Sequence, residues 1–263
     1  MEKTSIKSDN ILISVITPTF NRVDFLKECI QSVQASIIQP FQFQFEHIVA
    51  DDGSTDDTAE VMARLVGQYS NLTYIRNTDN RGGSAVLNQA IKASRGEWIF
   101  VLDDDDVTFQ RTLLNFAKTI EEYGHKHSWF VFDFIRGDQN LQYLVGQDYY
   151  GWEFENLDKW FRAILTHEHF LEHNTIYKKS LWSKVSGYDE SLRTSKDIDM
   201  YFRFIFLKKC LPKYSPIHSH VHRFHNSNIS LSKNVRNMPD PSWIENVLAK
   251  YPELKSYLKN NIK

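Results

Sequence analysis

The stretch Glu97–Asp106, EWIFVLDDDD, runs from an unbroken apolar segment straight into four adjacent carboxylates. The apolar part reads as a buried strand. The acidic part poses a problem, because like charges at that density repel. A fold that builds them in either leaves them in water as a turn or supplies something to neutralise them. Carboxylates at i and i+2 can chelate a hard divalent cation, with diphosphate oxygens and water completing the shell. A solvated turn rarely continues so apolar a strand, which favours the cation seat.

Upstream, three more strand-like runs alternate with helical ones. Ile11–Ile16 is a short apolar run ending in a Pro-containing loop. Phe25, Leu26, Cys29, Ile30 and Val33 then recur at helical spacing. FEHIVA is a second strand, stopped by DDGSTDD, and Thr58–Tyr69 a second helix. LTYIRN is a third strand, and Ser84–Ser94 a third helix leading to Glu97. Strands alternating with amphipathic helices predict βαβ units and a mostly parallel central sheet flanked by helices, an α/β fold. In such sheets ligands bind outside the carboxyl ends of the strands. The loops from Thr17, Asp51 and Asp103 each follow a strand, so they should gather along one edge.

Past residue 128 the rhythm changes. SWFVFDFI is strand-like, and residues 135–160 are looser and aromatic. NTIYKKSLWSKVSGYDESL reads as strand, short helix and turn, and KDIDMYFRFIFLKKC as a helix with Ile198, Tyr201, Phe202, Ile205 and Phe206 on one stripe. From Pro241 onward the chain reads as peripheral helix. With no repeat or linker in view, the expectation is a single domain over 1–263 with an α+β second half.

The bulk numbers fit a globular protein: 263 residues, 41% hydrophobic, 24% charged. A formal net charge of −2 gives no reason to expect nucleic acid as a partner. The two cysteines, Cys29 and Cys210, sit on apolar helix faces and suit core packing rather than a disulfide framework. The polar start and the lack of a membrane-length apolar run predict a cytoplasmic protein, compatible with peripheral contact at the inner face of a membrane.

Each motif has a plain structural reading beside a functional one. In ADDGSTDDT, Ser54 and Asp57 fit a helix-capping pattern. Asp51 and Asp52, at the strand's end, are not explained by capping and could accept hydrogen bonds from a base or ribose. In DNRGGS, Gly82 and Gly83 either make a turn or let backbone and helix N–H groups approach a phosphate. DDDVT at Asp104–Thr108 matches the D-x-D-x-T of haloacid-dehalogenase-like phosphatases, but there the motif follows the first strand, and here the fourth. HEHFLEH (His167, His169, His173) and HSHVHRFH (His218, His220, His222, His225) are dense in histidine; the i, i+2 alternation of the second suits one strand face, where a structural zinc is conceivable, but with no cysteine nearby they read as the polar lining of a cleft. DYYGWEFENLDKWF offers aromatics for sugar stacking, for a lid, or for the core.

In their order, ISVITPTFNR, VADDGSTDDT, NRGGSAVLNQAI, GEWIFVLDDDD, SGYDESL and KDIDMYFRF resemble a family 2 glycosyltransferase of the GT-A fold over about residues 11–230. The resemblance implies a nucleotide-sugar-binding half at about 11–127, an acceptor-side half at about 128–230 and a C-terminal helical extension at 231–263. It implies inverting transfer of a sugar from a nucleoside-diphosphate sugar, with UDP the expected nucleotide. The acceptor would be a hydroxyl of a saccharide, glycolipid or glycoprotein, and the cofactor Mn²⁺ or Mg²⁺. Thr17, Pro18, Thr19, Asn21 and Arg22 match the loop flanking the nucleoside. Asp52 matches the carboxylate that recognises the base, with Asp51 beside it, and Asn80 and Gly82 fall on the donor side. The family's D-x-D-D falls on Asp103–Asp106, with Asp104 on the donor, Asp105 as metal ligand and Asp103 toward ribose or metal. RFHNSNIS is similar to the late loop over the diphosphate and adds His225 to the metal set. The general base falls on Asp197, with Asp199 or Asp189 as alternatives.

Two positions depart from the family pattern. Leu87 stands where an Arg often precedes Asn88, and Lys196 stands where the base usually has an acidic partner. Two rival classes share the architecture: an inactive sugar-nucleotide-binding module, and a sugar-phosphate nucleotidyltransferase. Asp197 at a helix start argues against the first. The second would want a Gly-rich Arg/Lys loop where this chain has TPTFNR.

Overall fold

The computed structural model describes residues 11–39, 43–147, 149–153, 156–166, 171–192, 195–225, 245 and 248–252. The elements are β1 (Ile11–Thr19), α1 (Val23–Gln34), β2 (Gln44–Asp51), α2 (Thr58–Gln68), β3 (Leu72–Arg76), α3 (Gly83–Ala93), β4 (Trp98–Val101), β5 (Val107–Thr108), α4 (Thr112–Tyr123), β6 (Trp129–Gly137), α5 (Leu157–Thr166), β7 (Thr175–Lys178), α6 (Lys179–Lys184), α7 (Lys196–Lys208) and β8 (Lys213–Arg223). The strands form one eight-stranded sheet in the order β3-β2-β1-β4-β7-β6-β8-β5. β1 pairs in parallel with β2 and β4, and β2 with β3. β7 is antiparallel to both β4 and β6, and β8 lies parallel to β6.

The predicted alternation therefore holds through β4 and gives way to a mixed sheet beyond it. Apolarity explains the centre. All four residues of β4 are buried, as are Leu12, Ile13, Val15 and Ile16 of β1, because helices cover both faces of the parallel half. At the opposite, amino end of these strands, Glu46 joins β1, β2 and the approach to β4. Its Oε1 accepts from Ser14 Oγ at 2.6 Å and from the Arg95 N–H at 2.5 Å. A Cβ at Gly96 would come within 2.6 Å of the Ser14 backbone nitrogen, so only glycine fits against β1 there.

Several expectations need correction. α7 is not a one-sided amphipathic helix: Ile198 through Ile205 are buried without interruption, including Asp199 and Arg203. Those two polar side chains pair inside the protein, with Arg203 Nη2 2.6 Å from Asp199 Oδ2. Cys210 lies beyond α7, where its N–H caps the Phe204 carbonyl at 3.0 Å and Lys209 takes a left-handed turn. The start of α2 is held by Asp56, whose Oδ1 accepts from Thr58 N and Oγ1, and not by Ser54 or Asp57. α4, α5 and β5 are additions, and Trp160 of α5 is core. The region from Pro241 onward lies almost wholly outside the described residues. No described helix is long and apolar enough to cross a membrane.

Candidate active site

Parallel register brings the ends of β1, β2 and β4 together. Thr19 pairs with Asp51, Ile16 pairs with Val101, and the Asp52 N–H donates to the Thr19 carbonyl at 2.9 Å. The three loops meet along one sheet edge.

The tetrad is neutralised from several directions. Thr19 Oγ1 donates to Asp104 Oδ2 at 2.7 Å. Arg22 Nη1 spans Asp104 Oδ1 at 3.0 Å and Asp105 Oδ2 at 2.7 Å. His225 Nε2 lies 2.9 Å from Asp105 Oδ2, its ring packed on Phe25. His173 Nδ1 lies 2.9 Å from Asp103 Oδ2. The Arg223 N–H donates to Asp106 Oδ1 at 2.9 Å, and His222 Nδ1 lies 3.2 Å from Asp106 Oδ2. The Arg223 guanidinium reaches the Asp105 carbonyl and Glu28.

These partners divide the four carboxyls electrostatically. Burial, opposed by Arg22 and reinforced by Asp105, pushes Asp104 up to about 7. Burial also raises Asp106 against the pull of His222. At Asp103 burial acts upward too, but the charge and hydrogen bond of His173 prevail and hold it well below the usual range. Burial would lower His222, yet Asp106 raises it to about 9.

The second half of the chain closes over this edge. Asn88 of α3 donates to the Tyr188 carbonyl at 2.9 Å and accepts from the Tyr188 N–H at 2.8 Å, fixing SGYDESL against the first half. α7 then begins beside the tetrad: Lys196 and Asp197 both act electrostatically on His173, and Lys196 on Asp103. Asp197 is half-buried at the helix start. The charge of Asp197 also acts on Glu172, an exposed side chain next to His173. Lys196 lies over Gly83, where a Cβ would meet its Cε at 3.4 Å. Asp199 is sealed in its pair with Arg203, and Asp189 is tied to Ser191 and Lys250.

The donor-side residues separate into those that face the edge and those that build it. Thr17 is fully buried and shares a 2.9 Å hydrogen bond with His47, so its side chain serves the interior. Asn21, with φ 54°, uses its carboxamide oxygen to hold Thr55 N at 2.7 Å. Both Asp52 oxygens accept main-chain N–H groups, from Arg81 at 2.7 Å and Gly82 at 2.8 Å, so Asp52 shapes the loop before α3. Asp51 accepts from Ser54 N at 2.8 Å and Tyr74 OH at 2.5 Å. Pro18 is half-buried and Asn80 exposed. Leu87 is fully buried in the core. His167, His169 and Phe154 lie outside the described residues.

Sequence reasoning underweighted His173, His222 and Arg223. The spacing of HSHVHRFH was visible, but which histidine faces which aspartate depends on pairing across the fold. A divalent cation suits Asp103 and Asp105, whose oxygens lie within 4.8 Å of one another, with the His225 imidazole at Asp105.

Comparison with known proteins extends this picture. The family model described as glycosyl transferase family 2 matches residues 14–185. A poly(ribitol-phosphate) beta-glucosyltransferase of Bacillus spizizenii is 34% identical over 110 residues, covering 40% of this chain and 17% of that protein. Three of the curated relatives are spanned over 66, 41 and 17% of their own length, so the chain covers less than two thirds of each. Residues 1-349 of S. aureus TarS in complex with UDP-GlcNAc superpose with a TM-score of 0.64 at 21% identity, over 83% of this chain and 60% of that one. A mannosyltransferase of Pyrobaculum calidifontis in complex with GDP-Man and Mn²⁺ superposes with a TM-score of 0.60 at 15% identity, over 91% and 68%. At these identities the superpositions establish a shared GT-A fold.

Proposed function

The chain belongs to glycosyl transferase family 2, and from that premise we propose that it moves a sugar from a nucleoside-diphosphate sugar to an acceptor hydroxyl, with inversion at the anomeric carbon. The observation that carries this reading is the acidic cluster at the β4 edge, bonded to His173 and His225, with the start of α7 at Lys196 and Asp197 lying over Gly83 at the start of α3. Inverting transfer needs two separate carboxylate functions, one serving the departing diphosphate and one serving the attacking hydroxyl. This arrangement offers both.

Asp103, Asp105 and His225 would hold a divalent cation, Mn²⁺ or Mg²⁺, which when bound supplies positive charge to the leaving diphosphate. Arg22, already between Asp104 and Asp105, is placed to turn toward the same anion. Asp52 holds the Arg81–Gly82 turn so that the α3 start faces the crevice. Thr19, Asn21, Asp51, Pro18 and Asn80 line or brace the nucleoside side. Asp197 takes the hydroxyl proton as the new glycosidic bond forms.

The uridine nucleotides carried by TarS support a UDP-sugar donor, and the Bacillus relative's name supports a polymer or glycolipid-type acceptor. Such an acceptor would bring the protein to the inner face of a membrane. Calorimetry of UDP and GDP with and without Mn²⁺ tests the site. UDP affinity should rise at least tenfold with the metal, and Asp105→Ala should abolish that rise. Equal affinity in chelator would overturn the metal assignment. Stronger GDP binding would overturn the choice of nucleotide.

A further inference from the structure

A second cluster lies one residue beyond the proposed donor metal. Asp106 Oδ2 is 3.4 Å from His220 Nε2 and 3.2 Å from His222 Nδ1. The three ligand atoms all fall within 4.8 Å of one another. Two residues apart on β8, the histidines share one face of the strand. Asp106 and His220 are each 1% exposed, whereas His222 is half-buried and leaves a path to solvent.

The hydrogen-bond pattern sets the His220 tautomer. The Ser219 hydroxyl donates its hydrogen to the Asp133 carbonyl at 3.0 Å. Its lone pairs are then what remain for His220 Nδ1, 2.9 Å away, so Nδ1 carries the proton. In a neutral ring Nε2 must present a lone pair, and it points at a carboxylate oxygen. Two acceptors face each other at 3.4 Å, too close for water between them. The Arg223 N–H pins the other carboxylate oxygen, so Asp106 cannot turn away without losing that bond. His222 already partners the same carboxylate oxygen, and a dication held by all three groups would take its place and satisfy the His220 nitrogen as well.

We propose that Asp106, His220 and His222 bind a transition-metal dication of the zinc class, separate from the cation of the donor site. Zinc–nitrogen and zinc–oxygen bonds of about 2.0–2.2 Å in a tetrahedron require ligand atoms about 3.3–3.5 Å apart. Of the two edges from Asp106, the one to His220 at 3.4 Å meets that requirement and the one to His222 at 3.2 Å falls just short of it. Two imidazoles and one carboxylate favour zinc over the harder magnesium or calcium. Ser219 behind His220 and Arg223 behind Asp106 supply the outer hydrogen bonds that orient such ligands. The ion would tie β8 to the loop that carries Asp105, keeping His225 in register with it. The competing arrangement is a metal-free cluster held by protonated imidazoles.

The test uses the full chain, dialysed against a chelator and then titrated with zinc or cobalt(II) in the absence of nucleotide. One equivalent of zinc should bind at least a hundredfold more tightly than manganese. The cobalt form should show the intense visible bands of a tetrahedral site. X-ray absorption at the zinc edge should find two imidazole ligands, a readout that needs no variant. His222→Ala, at the half-buried position, should lose the tight zinc, and Asp105→Ala should keep it. Absence of stoichiometric zinc binding would overturn the proposal and leave the protonated cluster. So would loss of zinc in Asp105→Ala with retention in His222→Ala, which would place the ion in the donor site.

Discussion

At the scale of single residues, Asp197 is the sharpest case. It starts α7 half-buried, while the neighbouring Asp199 is locked to Arg203 and cannot reach a substrate. Asp197→Asn is nearly isosteric. It should fold and bind donor normally, yet lose roughly two to four orders of magnitude in turnover. Nucleotide release during transfer to the true acceptor measures it, and near-normal turnover would remove Asp197 from the mechanism. His47 makes a different prediction. Burial holds this fully enclosed imidazole down to about 3, far below its value in an unfolded chain. Its contribution to stability is complete above about pH 6.5 and is lost as pH falls from there toward 3, at about 1.4 kcal/mol per pH unit. Urea unfolding at pH 7.5 and 5.5 should show this loss in the native chain and a smaller one in His47→Gln, which keeps a partner for Thr17 without the charge. Parallel losses would show that other groups set the slope. Neither behaviour of His47 nor that of Thr17 was legible in TPTFNR, because the hydrogen bond that turns Thr17 inward comes from the adjacent strand.

At the scale of elements, α7 couples site and core. Arg203 donates to Asp199 and also to the carbonyls of Val185 and Gly187, so the helix clamps the turn that precedes it. Arg203→Leu strands a buried carboxylate and should cost about 3–5 kcal/mol. Replacing Asp199 by Leu as well should recover part of that loss, and denaturant melts of the two variants decide the matter. If the second change adds to the damage, the pair is not the source of the cost. The elements themselves were largely readable. Continuous apolar runs marked β1, β2 and β4, and helical spacing marked α1 to α3. α4 was hidden behind the attention the tetrad draws, and α5 behind its aromatics. The all-round burial of α7 was missed because its Asp and Arg look like a solvated face until they are seen to pair with one another. The gathering of the loops from Thr17, Asp51 and Asp103 followed from the alternation of strands and helices, with β1 running on to Thr19, whereas the imidazoles opposite Asp105 and Asp106 depend on β8 and the residues just after it, which pair far from their sequence neighbours.

At the scale of the whole molecule, the two halves meet over the crevice, and the segment after β6 lies against them. Tyr149 pairs with Phe134 through both main-chain groups and stacks on its ring at 4.7 Å, and the Gly151 N–H is held by Asp133. Beyond this anchor Tyr150 is 58% and Trp152 45% exposed. Anchored at Tyr149 and Gly151 with two aromatics exposed, the segment suits a cover that closes over bound substrate. Hydrogen exchange at residues 150–153 should slow several-fold when UDP and Mn²⁺ are added together. The same rate with and without them would leave these aromatics as surface only.

The separation between the tetrad and its partners also has a consequence in time. His222, Arg223 and His225 reach Asp105 and Asp106 across 116 to 120 positions. At the usual pace of translation those positions take roughly 6–24 s to synthesise. During the later part of that interval the nascent chain carries the four aspartates with Arg22 and His173 but without His222, Arg223 and His225. The parallel pairing of β8 with β6 is a long-range event of the kind that closes slowly. The full set of partners around the tetrad thus arrives with β8, after most of the core can already form, and a chain cut short before β8 would hold Asp105 and Asp106 without His222, Arg223 and His225.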